Sequence, residues 1–187
     1  EKEIHVVLST HRLNQKFLYA GATSKHYFYQ DKIEAYPLDN LDIKIMKLLS
    51  TNARMGLVKI GEELNVDSKV VKYRMRNLEN EGVIISYTTA PNFSKLGLEF
   101  IQLNFSVIDL KKIPSIIEFF DKTNKCLFAL ELLGKYDLTI EIHVENDKIF
   151  RQIMEKFKER FVNEYISYDV FNIYKEHVVV WLPLEKD

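Results

Sequence analysis

The chain holds one cysteine, four prolines and six glycines among 187 residues. Each shortage removes a class of protein. A single thiol, Cys126, excludes an internal disulfide and fits a reducing compartment, so a cytoplasmic protein is expected. Within "KCLFALELL" that thiol reads as a core residue of a buried strand. A membrane-spanning helix needs about 20 consecutive apolar residues, and no run here approaches that length. "IHVVLSTHR" is too short for a secretory leader and breaks off into polar residues. No glycine-rich phosphate loop and no nucleophile motif occurs. The histidines at 5, 11, 26, 143 and 177 show no ligand spacing, so no metal and no cofactor is expected. The net charge of −1 excludes a chain-wide basic field, and any affinity for nucleic acid must be local.

What is present is 47% apolar residues, enough for packed cores in one large domain or two small ones. Residues 1–37 read as a strand-rich N-terminal extension, with "IHVVL", "KFLYA" and "HYFYQ" as strands and "GATSK" as a turn. Pro37 disfavours helix at Tyr36 and marks a boundary. Residues 38–92 read as three helices. Asp39 caps the first, in which Leu41, Ile45, Leu48 and Leu49 form one apolar stripe. Leu57, Ile60 and Leu64 mark a short second helix. "NVD" is a tight turn, and Asp67 caps a third helix in which Val71, Met75 and Leu78 face inward. Gly82 suits the stop. "VIISYTTAPNF" then reads as a strand.

Residues 93–187 read as β-α-β-β-α-β, the split βαβ or ferredoxin-like order. "LEFIQLNFSVI" places Ile101, Leu103, Phe105 and Val107 on one face. The helix "IPSIIEFFDKT" turns Ile113, Ile116, Ile117 and Phe120 inward, with Pro114 in its first turn. "CLFALELL" and "LTIEIHV" are strands, "DKIFRQIMEKFKERF" is a helix striped with Ile149, Ile153, Phe157 and Phe161, and "YISYDVFNIY" and "HVVVW" close the chain as strands. Two helices cover one sheet face; a second copy of the domain is the simplest cover for the other.

The third helix carries the informative charge. Lys69, Lys72, Arg74 and Arg76 lie within residues 68–76 with no acid among them. A helix N-terminus favours negative side chains, so cations there point to an anionic partner. With Val71, Met75 and Leu78 inward, Ser68, Lys69, Lys72, Tyr73 and Arg76 point outward. A short helix, a tight turn and a second helix with a basic outer face form the helix-turn-helix device, whose second helix fits the DNA major groove. Ser68, Lys69, Lys72 and Tyr73 would lie near base edges or phosphates, and Arg76 at the backbone. A solvated basic face is the plainer account; the preceding helix, the turn and the following strand favour DNA.

The run from Leu38 to Gly97 resembles the DNA-binding half of the Lrp/AsnC family, the leucine-responsive and feast/famine regulators. The matching marks are Leu38-Asp39 with Asp42, Asn52-Ala53-Arg54, Val71 with Arg74, Leu78-Glu79, Gly82-Val83-Ile84 and Tyr87. Asp67 stands where the family usually has serine, and both are good caps. The resemblance extends to about residue 180 and implies an α+β chain: a winged helix-turn-helix followed by a ferredoxin-like, RAM-type domain that senses small effectors, often amino acids, and forms dimers or larger assemblies such as tetramers and octamers. It implies a transcriptional regulator that binds double-stranded DNA, with no enzymatic activity.

Gly134, Tyr136 and Asp137 resemble the family's glycine-and-aspartate loop, which in relatives lies beside the effector site. On that resemblance Gly134 and Tyr136 would bring backbone N–H groups near a ligand carboxylate, and Asp137 would hold a ligand amine. An ordinary hairpin turn uses the same residues and is the favoured account as regards ligand contact. Two other functions stay open. Siroheme decarboxylases share the two-domain build, and a ligand-sensing or protein-binding module with a vestigial helix-turn-helix is the other. Residues 1–37 have no counterpart in the family pattern. They are either the end of an upstream domain in a tandem protein, which a chain starting at Glu1 suits and which is slightly favoured, or an arm that pairs with a sheet of its own or a partner subunit.

Overall fold

The computed structural model describes residues 4–13, 27–29, 35–87 and 91–175. These fall into two units: residues 4–13, 27–29 and 92–175 form one, and residues 35–87 with Pro91 the other. No helix among the described residues is long and apolar enough to cross a membrane.

The smaller unit is a bundle of three helices, α1 (Asn40–Thr51), α2 (Leu57–Leu64) and α3 (Ser68–Asn80). Each starts where its sequence permits. The Asp39 carboxylate accepts the N–H groups of Leu41 and Asp42 while the Asp42 carboxylate accepts the Asp39 N–H, a reciprocal cap. Asp67 accepts the Lys69 N–H at 2.7 Å. The core is Ile45, Leu49, Ile60 and Val71, with Leu41, Leu48, Leu64 and Met75 packed around it, as the stripes of apolar residues predict. The turn between α2 and α3 is tight. Asn65 is left-handed, and the Val66 N–H reaches back to the Gly61 carbonyl at 2.9 Å.

Gly61 is what lets that turn close. A β-carbon there would lie 2.6 Å from the Val66 carbonyl oxygen, a backbone atom that cannot swing aside. Gly61→Ala is therefore expected to cost about 2 kcal/mol through forced displacement of α3. A urea midpoint of the three-helix unit equal to wild type would refute this account of the turn.

The expected strand after α3 is not formed at residues 83–87. Gly82 ends α3 at φ +70°, and the Ile84 N–H turns back to the Leu78 carbonyl at 2.9 Å. Ile84 packs on the helical core, and the Tyr87 hydroxyl donates to Glu79 at 2.7 Å. The Ile84 N–H and side chain and the Tyr87 hydroxyl are thus committed to the helical unit, while Ile85 stays exposed.

In the larger unit the order is β1 (Val6–Arg12), β2 (Tyr27–Tyr29), β3 (Glu99–Val107), α4 (Ile113–Lys122), β4 (Cys126–Leu133), β5 (Leu138–Val144), α5 (Asp147–Arg160) and β6 (Tyr165–Ile173). From β3 onward this is the βαββαβ arrangement. The strands form one sheet ordered β2-β1-β4-β5-β3-β6, every neighbouring pair antiparallel. One face carries Ile101, Leu103, Phe105, Val107, Ile140 and Ile142 against Ile113, Ile116, Ile117 and Phe120 of α4 and Ile153 and Phe157 of α5. Cys126 is sealed in this core, and burial raises its thiol pKa well above the ordinary value. By strand alternation the opposite face presents Gln102, Asn104, Ser106, Thr139, Asp169 and Phe171, with Asn104 accepting from both Gln102 and Thr139.

The N-terminal extension contributes strands to this same sheet. β1 pairs with β4 from Val6↔Leu133 to Arg12↔Phe128, with a bulge between Val7 and Ser9. It runs past the apolar "IHVVL" into polar Ser9–Arg12, where His11 pairs with Glu131 at 2.8 Å. The expected strands "KFLYA" and "HVVVW" lie outside the described residues.

Candidate nucleic-acid interface

α3 is an amphipathic helix with a sharp division. Val71 and Leu78 are fully buried and Met75 packs beside them. On the other side Lys69, Lys72, Tyr73 and Arg76 are exposed, and Ser68 is half-buried at the first turn. The five residues expected to form the DNA face therefore lie on one side of α3, from Ser68 at its first position to Arg76 past its middle. Lys69, Lys72 and Arg76 make no ion pair among the described residues, so three cations stand toward solvent. Val70, which no charge or polarity marks as part of this face, also lies outward at 41% exposure. Two adjacent valines on a helix cannot both face the core; the 100° step between them turns Val70 away while Val71 packs.

Arg74 belongs to the opposite category. Although it sits in the same basic run, its guanidinium reaches Asp39 at 2.7 Å and Asp42 at 3.4 Å on α1. Asp42 is 2% exposed. The bond from the Asp42 N–H, and then the Arg74 charge, hold the Asp39 carboxyl below the usual carboxylate range. One arginine thus ties α3 to the capped end of α1 and fixes how the basic face is presented. Its signal in the sequence is the Asp39/Asp42 pair three residues apart, a capping box whose charge needs a cation.

Removing Arg74 leaves Asp42 buried without its counter-charge. Arg74→Met is expected to destabilise the three-helix unit by about 2 kcal/mol, below the range for fully buried pairs because Arg74 is partly solvated. A double-mutant cycle with Asp42→Asn measures the coupling; strict additivity would dismiss the tie.

The loop expected to lie beside an effector is tightly tied down. The Asp137 N–H donates to the Phe105 carbonyl at 2.8 Å, its carbonyl accepts the Leu132 N–H at 2.8 Å, and its carboxylate accepts the Val107 N–H at 2.7 Å. Tyr136 is buried, stacks on His5 at 5.5 Å between ring centroids, and donates its hydroxyl to Asp169. Gly134 adopts φ +153°, and a β-carbon there would meet the His5 ring at 2.8 Å and the Ile4 carbonyl at 3.0 Å. The approach of residues 4–5 thus requires glycine at 134. Gly134, Tyr136 and Asp137 are brought together, and the bond that the Asp137 carboxylate accepts from Val107 serves the sheet. Among the described residues no cluster of three or more His, Cys, Asp or Glu is placed to hold a metal ion.

The family described as winged helix-turn-helix DNA-binding matches residues 38–85. An HTH-type transcriptional regulator of Pyrococcus abyssi is 29% identical over 143 residues, covering 76% of this chain and 92% of that protein. The HTH-type transcriptional regulator LrpB of Bacillus subtilis is 21% identical over 137 residues, 73% and 87% of the two chains. Among solved structures, AsnC of E. coli superposes with TM-score 0.67 at 18% identity over 78% of this chain and 97% of that one. A transcriptional regulator of Neisseria meningitidis, solved in complex with L-methionine, gives TM-score 0.69 at 17% identity over 78% and 96%.

Proposed function

From a chain of the Lrp/AsnC type of DNA-binding transcriptional regulator, we propose that α3 reads one half-site of a duplex operator through Ser68, Lys69, Lys72, Tyr73 and Arg76. The observation that carries this is the outward face of α3: three cations with no ion pair among the described residues, and a tyrosine, held off the core by Val71, Met75 and Leu78. A rigid helix with that face suits the major groove, and each cation set on a phosphate releases counterions. The Pyrococcus and Bacillus relatives are transcriptional regulators, which sets this reading ahead of a tetrapyrrole enzyme and of a vestigial helix-turn-helix.

Residues 38–92 act as the reading domain, residues 93–187 as the sensing and pairing domain, and residues 1–37 as an extension of the second. Two or more copies pair through the sheet, fix the spacing of two α3 helices, and so read a pseudo-palindrome in the cytoplasm. A small effector, of which an amino acid is the favoured class, binds beside the loop holding Gly134, Tyr136 and Asp137 and shifts the assembly by a coupling on the order of 1–3 kcal/mol. The Neisseria complex with L-methionine supports the class of effector. Selection of bound sequences from a random duplex pool tests the central claim. A recurring two-fold motif is expected, and recovery of no enriched sequence would defeat it.

A further inference from the structure

We propose that the seam between α4 and α5 is a docking groove for an acidic amphipathic helix of a partner protein. Phe119 of α4 meets Phe157 and Phe161 of α5 edge-on, and beside that contact the two helices leave a groove of about 500 Å³. Its floor is apolar, formed by Phe119, Ile149 and Ile153. Four cations line it: Lys122 from α4, Lys125 just before β4, and Lys156 and Arg160 from α5. Among the described residues no carboxylate lines it. Glu118 and Glu145, outside the lining, pair with Lys122 and Lys125. Lys156 and Arg160 make no ion pair among the described residues. The bond from Lys122 first, and more weakly the charge of Arg160, hold the Glu118 carboxyl below the usual carboxylate range. Cations of both helices thus converge across the groove.

The charges of α5 are sorted by side. Ile149, Ile153, Lys156 and Arg160 follow one another at helical spacing and stand on one line. Glu155 and Glu159 are turned about 100° and about 60° from Lys156, toward solvent. Long basic side chains often lie over apolar surface, but here the floor between them stays open as a groove. The lining runs along α5 from Ile149 to Arg160, about 16 Å. A single small anion would meet one or two of the cations and leave the rest of the floor bare. A helix of about three turns reaches all four. Two neighbouring helices present the kind of groove into which a third packs its ridge, and such docking sets apolar anchors at helical spacing on the floor. Carboxylates flanking those anchors would meet Lys156 and Arg160, the two cations that lack an ion pair. The groove shares no residue with α3, so this proposal goes beyond the regulator reading and does not depend on it.

The experiment selects binders of the full chain from a displayed library of helical peptides about 12 residues long, which span about 18 Å. Enriched peptides are expected to carry Asp or Glu on both sides of an apolar stripe. Against one such peptide, made synthetically, Lys156→Glu combined with Arg160→Glu is expected to weaken binding on the order of tenfold. Lys156→Gln combined with Arg160→Gln is expected to weaken it less. Both positions are exposed, and thermal melts establish that the variants are folded. Lys72→Ala combined with Arg76→Ala is expected to leave the peptide affinity as it is, which places the peptide away from α3. Enrichment of peptides that are not acidic, binding that survives the charge reversal, or binding that depends on Lys72 and Arg76 instead would overturn the proposal. A change in sedimentation of the peptide-free chain on charge reversal would assign the groove to a second copy of the chain, and overturn it likewise. The duplex selection is read separately, so either result can fail alone.

Discussion

Lys72→Ala combined with Arg76→Ala is expected to weaken operator binding on the order of a hundredfold at low salt and to flatten the slope of log K against log salt by about two. A phosphate without its lysine or arginine keeps its condensed counterions, so the slope counts the cations removed. The effect should be nearly uniform across sequences, because phosphate contacts position a helix without specifying bases. Both side chains are exposed and neither has an ion-pair partner among the described residues, so the melting temperature should not move. The contrast with Arg74 makes the test sharp. It belongs to the same run of basic residues, yet it is bound to Asp39 and Asp42, and its loss is read as instability of the three-helix unit. A salt slope in the double variant equal to wild type would place Lys72 and Arg76 outside the interface.

The second large effect is on stability in acid. His143 on β5 is 1% exposed, lies 3.8 Å from the Phe93 ring and 4.7 Å from the Phe100 ring between centroids, and donates its backbone N–H to the Lys125 carbonyl. Burial lowers its side-chain pKa to about 4 from the ordinary 6.5. The folded chain thus holds this imidazole neutral while the unfolded chain takes up a proton as pH falls below 6.5. Stability is unaffected above that point, declines between pH 6.5 and 4, and has lost about 3 kcal/mol from this group by pH 4. Denaturant titrations across that range are the measurement. His143→Phe, which keeps an aromatic ring against Phe93 and Phe100, is expected to flatten that decline; an equally steep loss in the variant would assign it to other groups.

Much of this architecture is legible in the sequence because the apolar periods are clean. Ile113, Ile116, Ile117 and Phe120 recur at the spacing of an inner helical stripe and are the buried residues of α4. Ile101, Leu103, Phe105 and Val107 alternate along β3 and are all buried. Periodicity reports which side faces a core, and it does so well where the core is aliphatic. It is silent on polar ties. Arg74 shares the basic run of Lys72 and Arg76; the apolar stripe leaves it off the outward face, and the structure shows its partners to be Asp39 and Asp42. The segment after α3 misleads for a related reason: "VIISYTT" has strand composition, but the Ile84 N–H and the Tyr87 hydroxyl bond back to α3. The same holds at the loop, where the Asp137 carboxylate receives the Val107 N–H, a tie to the sheet that no apolar period announces.

The pairing of β1 with β4 has a consequence for how the chain is made. His11 and Glu131, which meet across that pairing, are separated by 120 positions. A ribosome adding 5–20 residues per second needs roughly 6–24 seconds to cover that distance. β1 must therefore wait for β4, with Val6, Val7 and Leu8 without that partner in the meantime. The three helices of the smaller unit all lie within residues 40–80 and can assemble within that interval. Until β4 is made, Val6, Val7 and Leu8 lack the strand that they pair with, so anything that shelters the nascent chain should act on these residues.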